Sequence, residues 1–216
     1  MAEPDLLEPV PALRLSCMTE AARMFHQSLS DECREYVAGR KLESQIGRFM
    51  LGTVPEDCEA EWSPYRGMLS IPYINLNNQV VQIKFRNLRG EGLKYLNLPS
   101  LPTSPFNMKA VDSGSRTINV TEGEFDAMSL ASLGYAAISI PGASNWKPYY
   151  RNMLDNFERV VLWGDPDGAG QTFNATVQDS VRRATVAYLS TDINDALVEG
   201  NWTGISDAFT RAGGEQ

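Results

Sequence analysis

The sequence predicts an α/β chain in two parts: an α+β region first, then a parallel sheet with helices on both faces. Two observations carry this. Apolar residues recur with period two between residues 67 and 88, on either side of an Asn-Asn pair, as in a hairpin. After Gly114 and Ser115 the rhythm changes to short apolar runs alternating with helical patterns over short connections, the signature of a parallel sheet. The expected divisions are a tail over 1–15, an α+β region over 16–115, a parallel-sheet region over 116–200, and a closing helix and tail over 201–216.

Each element has a local reason. "MTEAARMFHQSL" reads as an amphipathic helix with Thr19 as N-cap, and "SDECREYVAGRKL" as a second helix capped by Ser30. "LESQIGRFM" suggests a third, weaker one. "GMLSIPYINL" and "QVVQIKFRNL" are the hairpin strands, Pro72 marking the first as an edge or irregular strand. Three prolines in "LPSLPTSPFNMK" exclude regular structure there. In the second region "TINVTEG", "YAAISIPG", "RVVLWGD" and "ATVAYLS" read as strands. "EFDAMSLASLG", "KPYYRNMLDNF", "AGQTFNATVQDSVRR" and "DINDALVEG" read as helices.

Composition bounds the function. The 216 residues are 43% hydrophobic and 21% charged, an ordinary globular balance, and no apolar run approaches the roughly 20 residues of a membrane span. The acidic start "MAEPDLLEPVPAL" is unlike a signal peptide, so the expected location is the cytoplasm, without membrane contact. The cysteines Cys17, Cys33 and Cys58 lack metal-ligand spacing, which argues against zinc. The single histidine, His26, lies on a helical pattern and is expected to pack rather than catalyse. A metal, if used, would be a hard cation held by oxygen.

The net charge of −8 hides an asymmetry. Arg66, Lys84, Arg86, Arg89, Lys94 and Lys109 face one acid, Glu91, between residues 66 and 109, whereas from Thr117 onward 13 acids stand against 6 bases. The basic stretch suits phosphate groups. In the acidic part three expected strands end in carboxylates: Glu122 after the first, Asp165 and Asp167 after the third, Asp192 after the fourth with Asp195 close behind. Parallel neighbours would point these into one crevice, where like charges repel unless a divalent cation lies between them. Magnesium is the expected ion, since it takes carboxylate oxygens and bridges to substrate phosphates. Gly123, Gly164 and Gly168 are expected to let the backbone turn and a phosphate approach. The loop from Pro141 to Lys147, with Gly142 and Ser144, is a further phosphate candidate, and Trp146 and Tyr149 are candidates to touch a base. Trp163 reads as core.

"VTEGEFDAMSLASLG" and "VVLWGDPDGAGQTF" resemble the two halves of the TOPRIM pattern, Glu-Gly with an Asp three residues on, then a later strand ending in Asp-x-Asp. "YRGMLSIPYINLNNQVVQIKFRNL", "KYLNLP" and "ECREYVAGRKLESQIGRFMLGTVPE" are similar to the catalytic core of DnaG-type bacterial and bacteriophage primases. "STDINDAL" resembles an acidic primase motif, with Thr191 in place of its lysine. The resemblance implies a nucleotidyltransferase making short RNA primers on single-stranded DNA from ribonucleoside triphosphates. It implies catalytic Glu122, Asp126, Asp165 and Asp167, magnesium (or manganese in its place) on Glu122, Asp165, Asp167 and Asp192, and Arg66, Lys84, Arg86, Lys94, Lys109, Gly142 and Ser144 toward nucleotide or template. Neither a zinc-binding domain nor a GxxxxGK[ST] helicase loop is present, so a separate helicase and a separate zinc-binding protein are expected partners, as for a phage replication protein. The alternatives are a TOPRIM-type nuclease and a non-catalytic nucleic-acid-binding TOPRIM protein.

Overall fold

The computed structural model describes residues 10–215; residues 1–9 of the expected 1–15 tail lie outside them, and Ala12 to Leu15 of that tail are instead the start of the first helix. Contacts divide the chain into two compact units, Met1–Cys33 with Phe49–Ser104, and Arg34–Arg48 with Pro105–Gln216.

The first unit sets a helix on an antiparallel sheet. Helix α1 (Ala12–Gln27) buries Met18, Ala21, Ala22 and Phe25, the spacing of one helical face. It starts six residues before the expected Met18, its first turn closing on the Pro11 carbonyl through the Leu15 N–H (3.1 Å). Thr19 is therefore inside the helix rather than its cap. Its hydroxyl donates to the Leu15 carbonyl (2.7 Å) and accepts the Val80 N–H (3.0 Å). Helix α2 (Asp31–Gly39) does begin after Ser30, whose hydroxyl accepts the Cys33 N–H (3.3 Å). The third expected helix shrinks to one 3₁₀ turn, Glu43–Gln45.

The sheet runs in order β1 (Gly52–Thr53), β2 (Leu69–Ile74), β3 (Val80–Arg86), β4 (Tyr95–Asn97). Gly52 lets β1 touch the end of α1: a Cβ there would lie 2.2 Å from the Phe25 backbone. Pro72 pairs with Ile83 beyond the two residues of β2 that β1 covers, so its missing N–H breaks no ladder on that side. The hairpin turn is wider than the Asn-Asn pair. Asn75 Oδ1 accepts the N–H groups of Asn77 (3.0 Å) and Gln79 (2.9 Å), and the register shifts at Tyr73/Ile74. Phe25, Trp62, Tyr65 and Phe85 centre the core, with Tyr65 stacked on Phe85 at 4.0 Å. His26 packs as expected, its Nδ1 donating to the Leu51 carbonyl oxygen 2.7 Å away.

The second unit is the expected parallel sheet, in order β6 (Ala137–Ser139), β5 (Thr117–Thr121), β7 (Arg159–Trp163), β8 (Ala184–Val186), with every pairing parallel. Helices α3 (Glu124–Ser132), α4 (Arg151–Leu154), α5 (Gly168–Ser180), α6 (Ile193–Val198) and α7 (Trp202–Arg211) connect or follow the strands. All of β5 is buried, as a strand covered on both faces must be. Ile118, Val120, Val160 and Leu162 meet Phe173 and Val177 of α5 in one core. On the other face, Trp163 Nε1 donates to Asn119 Oδ1 (2.8 Å), so Trp163 is core as expected. Phe106 adds an antiparallel bridge to Ser139 at the edge. Among the described residues no helix is long and apolar enough to cross a membrane.

Candidate active site

The strand order fixes where the acids meet. From β5 the chain passes through α3 to β6 on one side, then crosses back to β7 on the other side of β5. Such a reversal opens a crevice beyond the carboxyl ends of the two central strands. Glu122 follows β5, Asp165 and Asp167 follow β7, and Asp192 follows β8 next to β7, so one end of the sheet receives all four.

Their charges act on one another. Burial, together with the charges of Asp165 and Asp167, pushes the Glu122 carboxyl up to about 7, against the Asp165 backbone N–H, which works in the opposite direction. Glu122 Oε1 is buried without a hydrogen-bond partner among the described residues. Asp165 is raised by burial and by Asp192, Asp167 and Asp195. Asp126, buried in the first turn of α3, is raised well above the ordinary carboxylate range by burial, then by Asp192, against the Asn194 N–H that donates to its Oδ1 (3.0 Å). Glu124, 2% exposed, adds to it. No sequence pattern singled out Glu124 or Asn194, although both lie inside the quoted stretches.

Two of the aspartates also hold up the fold. Asp167 caps α5 by accepting the Gly170 N–H (2.9 Å), and Asp192 caps α6 by accepting the Asp195 N–H (2.6 Å). Each cap is worth about 1 kcal/mol. Asp167 in "GDPDG" thus caps a helix and is also a neighbour of other acids. Two of the three glycines are required by the protein's own packing. A Cβ on Gly123 would lie 2.3 Å from Asp126 Oδ2, and one on Gly164 would lie 2.3 Å from the Gly170 carbonyl oxygen. Both make room for the protein's own atoms. Gly168 has nothing within 4 Å, and none of the three has a positive φ.

Among the described residues no group of three His, Cys, Asp or Glu side chains is arranged to hold an ion. The donor set nevertheless fits magnesium, which binds through one or two carboxylates, several waters and substrate phosphates rather than through an all-protein cage. The unpartnered Oε1 of Glu122 beside Asp165 is the donor pair best suited to it.

The other candidates fall in different places. Gly142 (φ 79°) and exposed Ser144 follow the carboxyl end of β6, on the same side of the sheet as Glu122. Trp146 is buried there, its Nε1 donating to Ser180 Oγ (2.9 Å), and offers no stacking face; Tyr149 remains exposed. Lys109 is not brought to this end. With Arg48, Ser113, Ser115, Tyr135 and Phe209 it lines a cavity of about 470 Å³ at the start of β5 and β6, where Arg48 Nη1 donates to the Ala131 carbonyl of α3 (3.0 Å).

In the first unit, Lys84 and Arg86 share a face of β3 with Tyr95 of β4. The Lys84 ammonium lies 4.5 Å and the Arg86 guanidinium 4.7 Å from the ring centre, Arg86 Nη1 donates to the Tyr95 hydroxyl (2.6 Å), and the Lys94 ammonium lies 6.0 Å away. Arg66 is exposed just before β2. Arg89 is paired with Glu56 at 2.9 Å, which removes one charge from the basic stretch.

Known proteins share these features. The Toprim-like family profile matches residues 119–197. The Gene 57 protein of Mycobacterium phage D29 is 32% identical over 149 residues, 62% of this chain and 98% of that protein. The Aquifex aeolicus primase, with zinc-binding and RNA polymerase domains, superposes with a TM-score of 0.78 at 17% identity over 97% of this chain; this chain spans 63% of that one. The RNA polymerase domain of Mycobacterium tuberculosis primase DnaG, in complex with a double-stranded DNA oligomer with a 6-nucleotide overhang, gives a TM-score of 0.74 at 20% identity, over 93% of this chain and 81% of that one.

Proposed function

The chain belongs to the family of the phage Gene 57 protein and has a Toprim-like domain within the fold of a DnaG primase catalytic core, and from this we propose that it is a DNA primase. It would synthesise short RNA primers on single-stranded DNA from ribonucleoside triphosphates. The carboxylates gathered at the switch point of the parallel sheet carry this reading. Structural likeness extending beyond residues 119–197 over nearly the whole chain favours a primase over a nuclease.

Glu122, Asp165, Asp167 and Asp192 would hold magnesium, which supplies positive charge to the α-phosphate and the leaving pyrophosphate. Glu122, whose carboxyl is raised to about 7 by burial and its acidic neighbours, would take the proton of the attacking 3′ hydroxyl. Asp165 and Asp167 would be among the residues that hold the ion, and the cap on α5 fixes the Asp167 side chain. Lys84, Arg86, Lys94 and Arg66 would meet the template or the incoming nucleotide. Gly142 and Ser144 would approach the triphosphate. A separate helicase and a separate zinc-binding protein would complete initiation in the host cytoplasm.

The test is primer synthesis by the purified chain on mixed single-stranded templates with labelled ribonucleotides and magnesium, beside Asp165→Ala/Asp167→Ala. Templated RNA products that vanish in the variant are expected. Cleavage of the DNA without synthesis would instead make the chain a nuclease, and neither reaction would leave a binding protein.

A further inference from the structure

Asn194 is a neutral residue between two acids, 1% exposed, and its side-chain amide and backbone N–H are all bonded. Its Oδ1 accepts Arg40 Nη1 (2.6 Å). Its Nδ2 donates to Ser129 Oγ (2.9 Å) and to the Arg40 carbonyl (3.1 Å), and its backbone N–H donates to Asp126 Oδ1 (3.0 Å). Arg40 is held in turn. Its Nε donates to the Tyr36 hydroxyl (2.9 Å), and its guanidinium lies 5.3 Å from the Tyr36 ring centre and 5.1 Å from that of Phe125.

A buried amide costs several kcal/mol unless its bonds are made, and an apolar residue would fill the space as well. What the amide adds is direction. Asp126 and Asp192 are carboxyl groups that disfavour each other's charge at the candidate site, and groups that repel drift apart unless something fixes the elements that bear them. Asn194 is two residues from Asp192 in the first turn of α6, bonded to Asp126 and Ser129 of α3, and tied to Arg40 beyond the end of α2.

We propose that Arg40 and Asn194 form a positioning brace that holds Asp192, a metal holder in the primase reading, in register with Asp126 and is not itself part of the chemistry. The proposal rests on the primase reading for its metal and has a test that does not. Neither residue is among the carboxylates assigned to the ion or to the reaction. Together they would do for the carboxylates what hydrogen-bonded partners do for metal ligands generally, at a cost of about 10- to 100-fold in metal affinity when removed.

The first measurement is amide hydrogen exchange by NMR on the metal-free full chain, wild type against Arg40→Met. The Asn194 and Asp195 N–H protons, bonded to Asp126 and Asp192, should exchange at least about tenfold faster, while the Val181 N–H at the end of α5 stays unchanged. Unchanged exchange at Asn194 would overturn the brace whether or not the chain makes primers. The second is manganese binding by calorimetry, expected about 10-fold weaker or more in Arg40→Met and in Asn194→Ala, with the magnesium needed for half-maximal primer synthesis rising by a like factor and the maximal rate regained at saturation. A lower maximal rate that magnesium does not restore would reject positioning. Arg40→Lys keeps the charge and loses the planar fork; it should group with Arg40→Met, and grouping with wild type would replace the brace by a charge effect. Loosened exchange and weakened manganese in a chain whose wild type makes no primers would uphold the brace and sink the primase reading alone.

Discussion

Lys84 and Arg86 share one face of β3 because side chains two apart on a strand point the same way; Glu122, Asp165 and Asp192 share one end of a sheet because parallel strands all finish on the same side. The first arrangement is local. Its cations are laid over one ring, Tyr95, on a surface where each can be replaced singly. The second is assembled from segments far apart in the sequence, and Asp192, like the neighbouring Asp167, also caps a helix. Charge gathered by alternation should therefore fail gradually, and charge gathered by topology should fail abruptly.

The sharpest way to break this contrast is Glu122→Gln. Primer synthesis should drop by roughly 10³-fold, the scale of several kcal/mol of lost stabilisation, while the metal-free protein at pH 8 melts higher because one member of the repelling cluster is gone. Activity assays and thermal melts on the same preparation check both signs. A melt lowered by the change would mean that Glu122 is held by something other than its acidic neighbours.

Next in size is the pair Gly170→Ala and Gly168→Ala. A Cβ on Gly170 would lie 2.0 Å from the Asp165 carbonyl oxygen, whereas Gly168 has open space. Gly170→Ala should cost about 2 kcal/mol or more and lower the melting temperature by roughly 4–8 °C; Gly168→Ala should change it little or raise it slightly. Equal effects would show that the contact between the β7 end and α5 can relax.

The pH dependence is smaller. Glu122 rises from an ordinary 4.5 to about 7 in the folded chain, so between these values the native state holds a proton that the unfolded chain has released. Stability without divalent ions should thus be greatest below about pH 4.5 as far as this group is concerned, and fall as pH rises to about 7. Asp165 and Asp126, also raised, act in the same direction. Melting curves in chelator across this range should slope downward, the slope should flatten in Glu122→Gln, and magnesium should raise the melting temperature more at pH 8 than at pH 5.

The mildest change belongs to the antiparallel sheet. Lys84→Ala should weaken single-stranded DNA binding across all sequences and reduce the slope of log affinity against log salt by about 1, leaving magnesium dependence untouched. Salt titrations by fluorescence anisotropy measure this. A loss confined to one template sequence would point to base contacts instead.

The alternation of strands and helices after Ser115, the hairpin, the buried Trp163 and the acids at strand ends were legible in sequence, because each depends on periodicity or on a neighbour a few residues away. Other features were not. The Thr19 hydroxyl serves Val80, 61 residues on, and Arg40 meets Asn194 across 154 residues, pairings for which local pattern has no signal. The same pairing accompanies the clustering of residues 34–48 with the second unit. Lys109 carries the same charge as Lys84, yet the bridge from Phe106 to Ser139 delivers it to the opening ends of β5 and β6. The sequence by itself determined the order of strands and helices after Ser115 and that three of the four parallel strands end in acid, since these follow from residues close together along the chain. Only the tertiary structure decided that β5 lies beside β7, which acids then repel, and which neutral side chain holds them, because distance through space depends on strand order and helix packing.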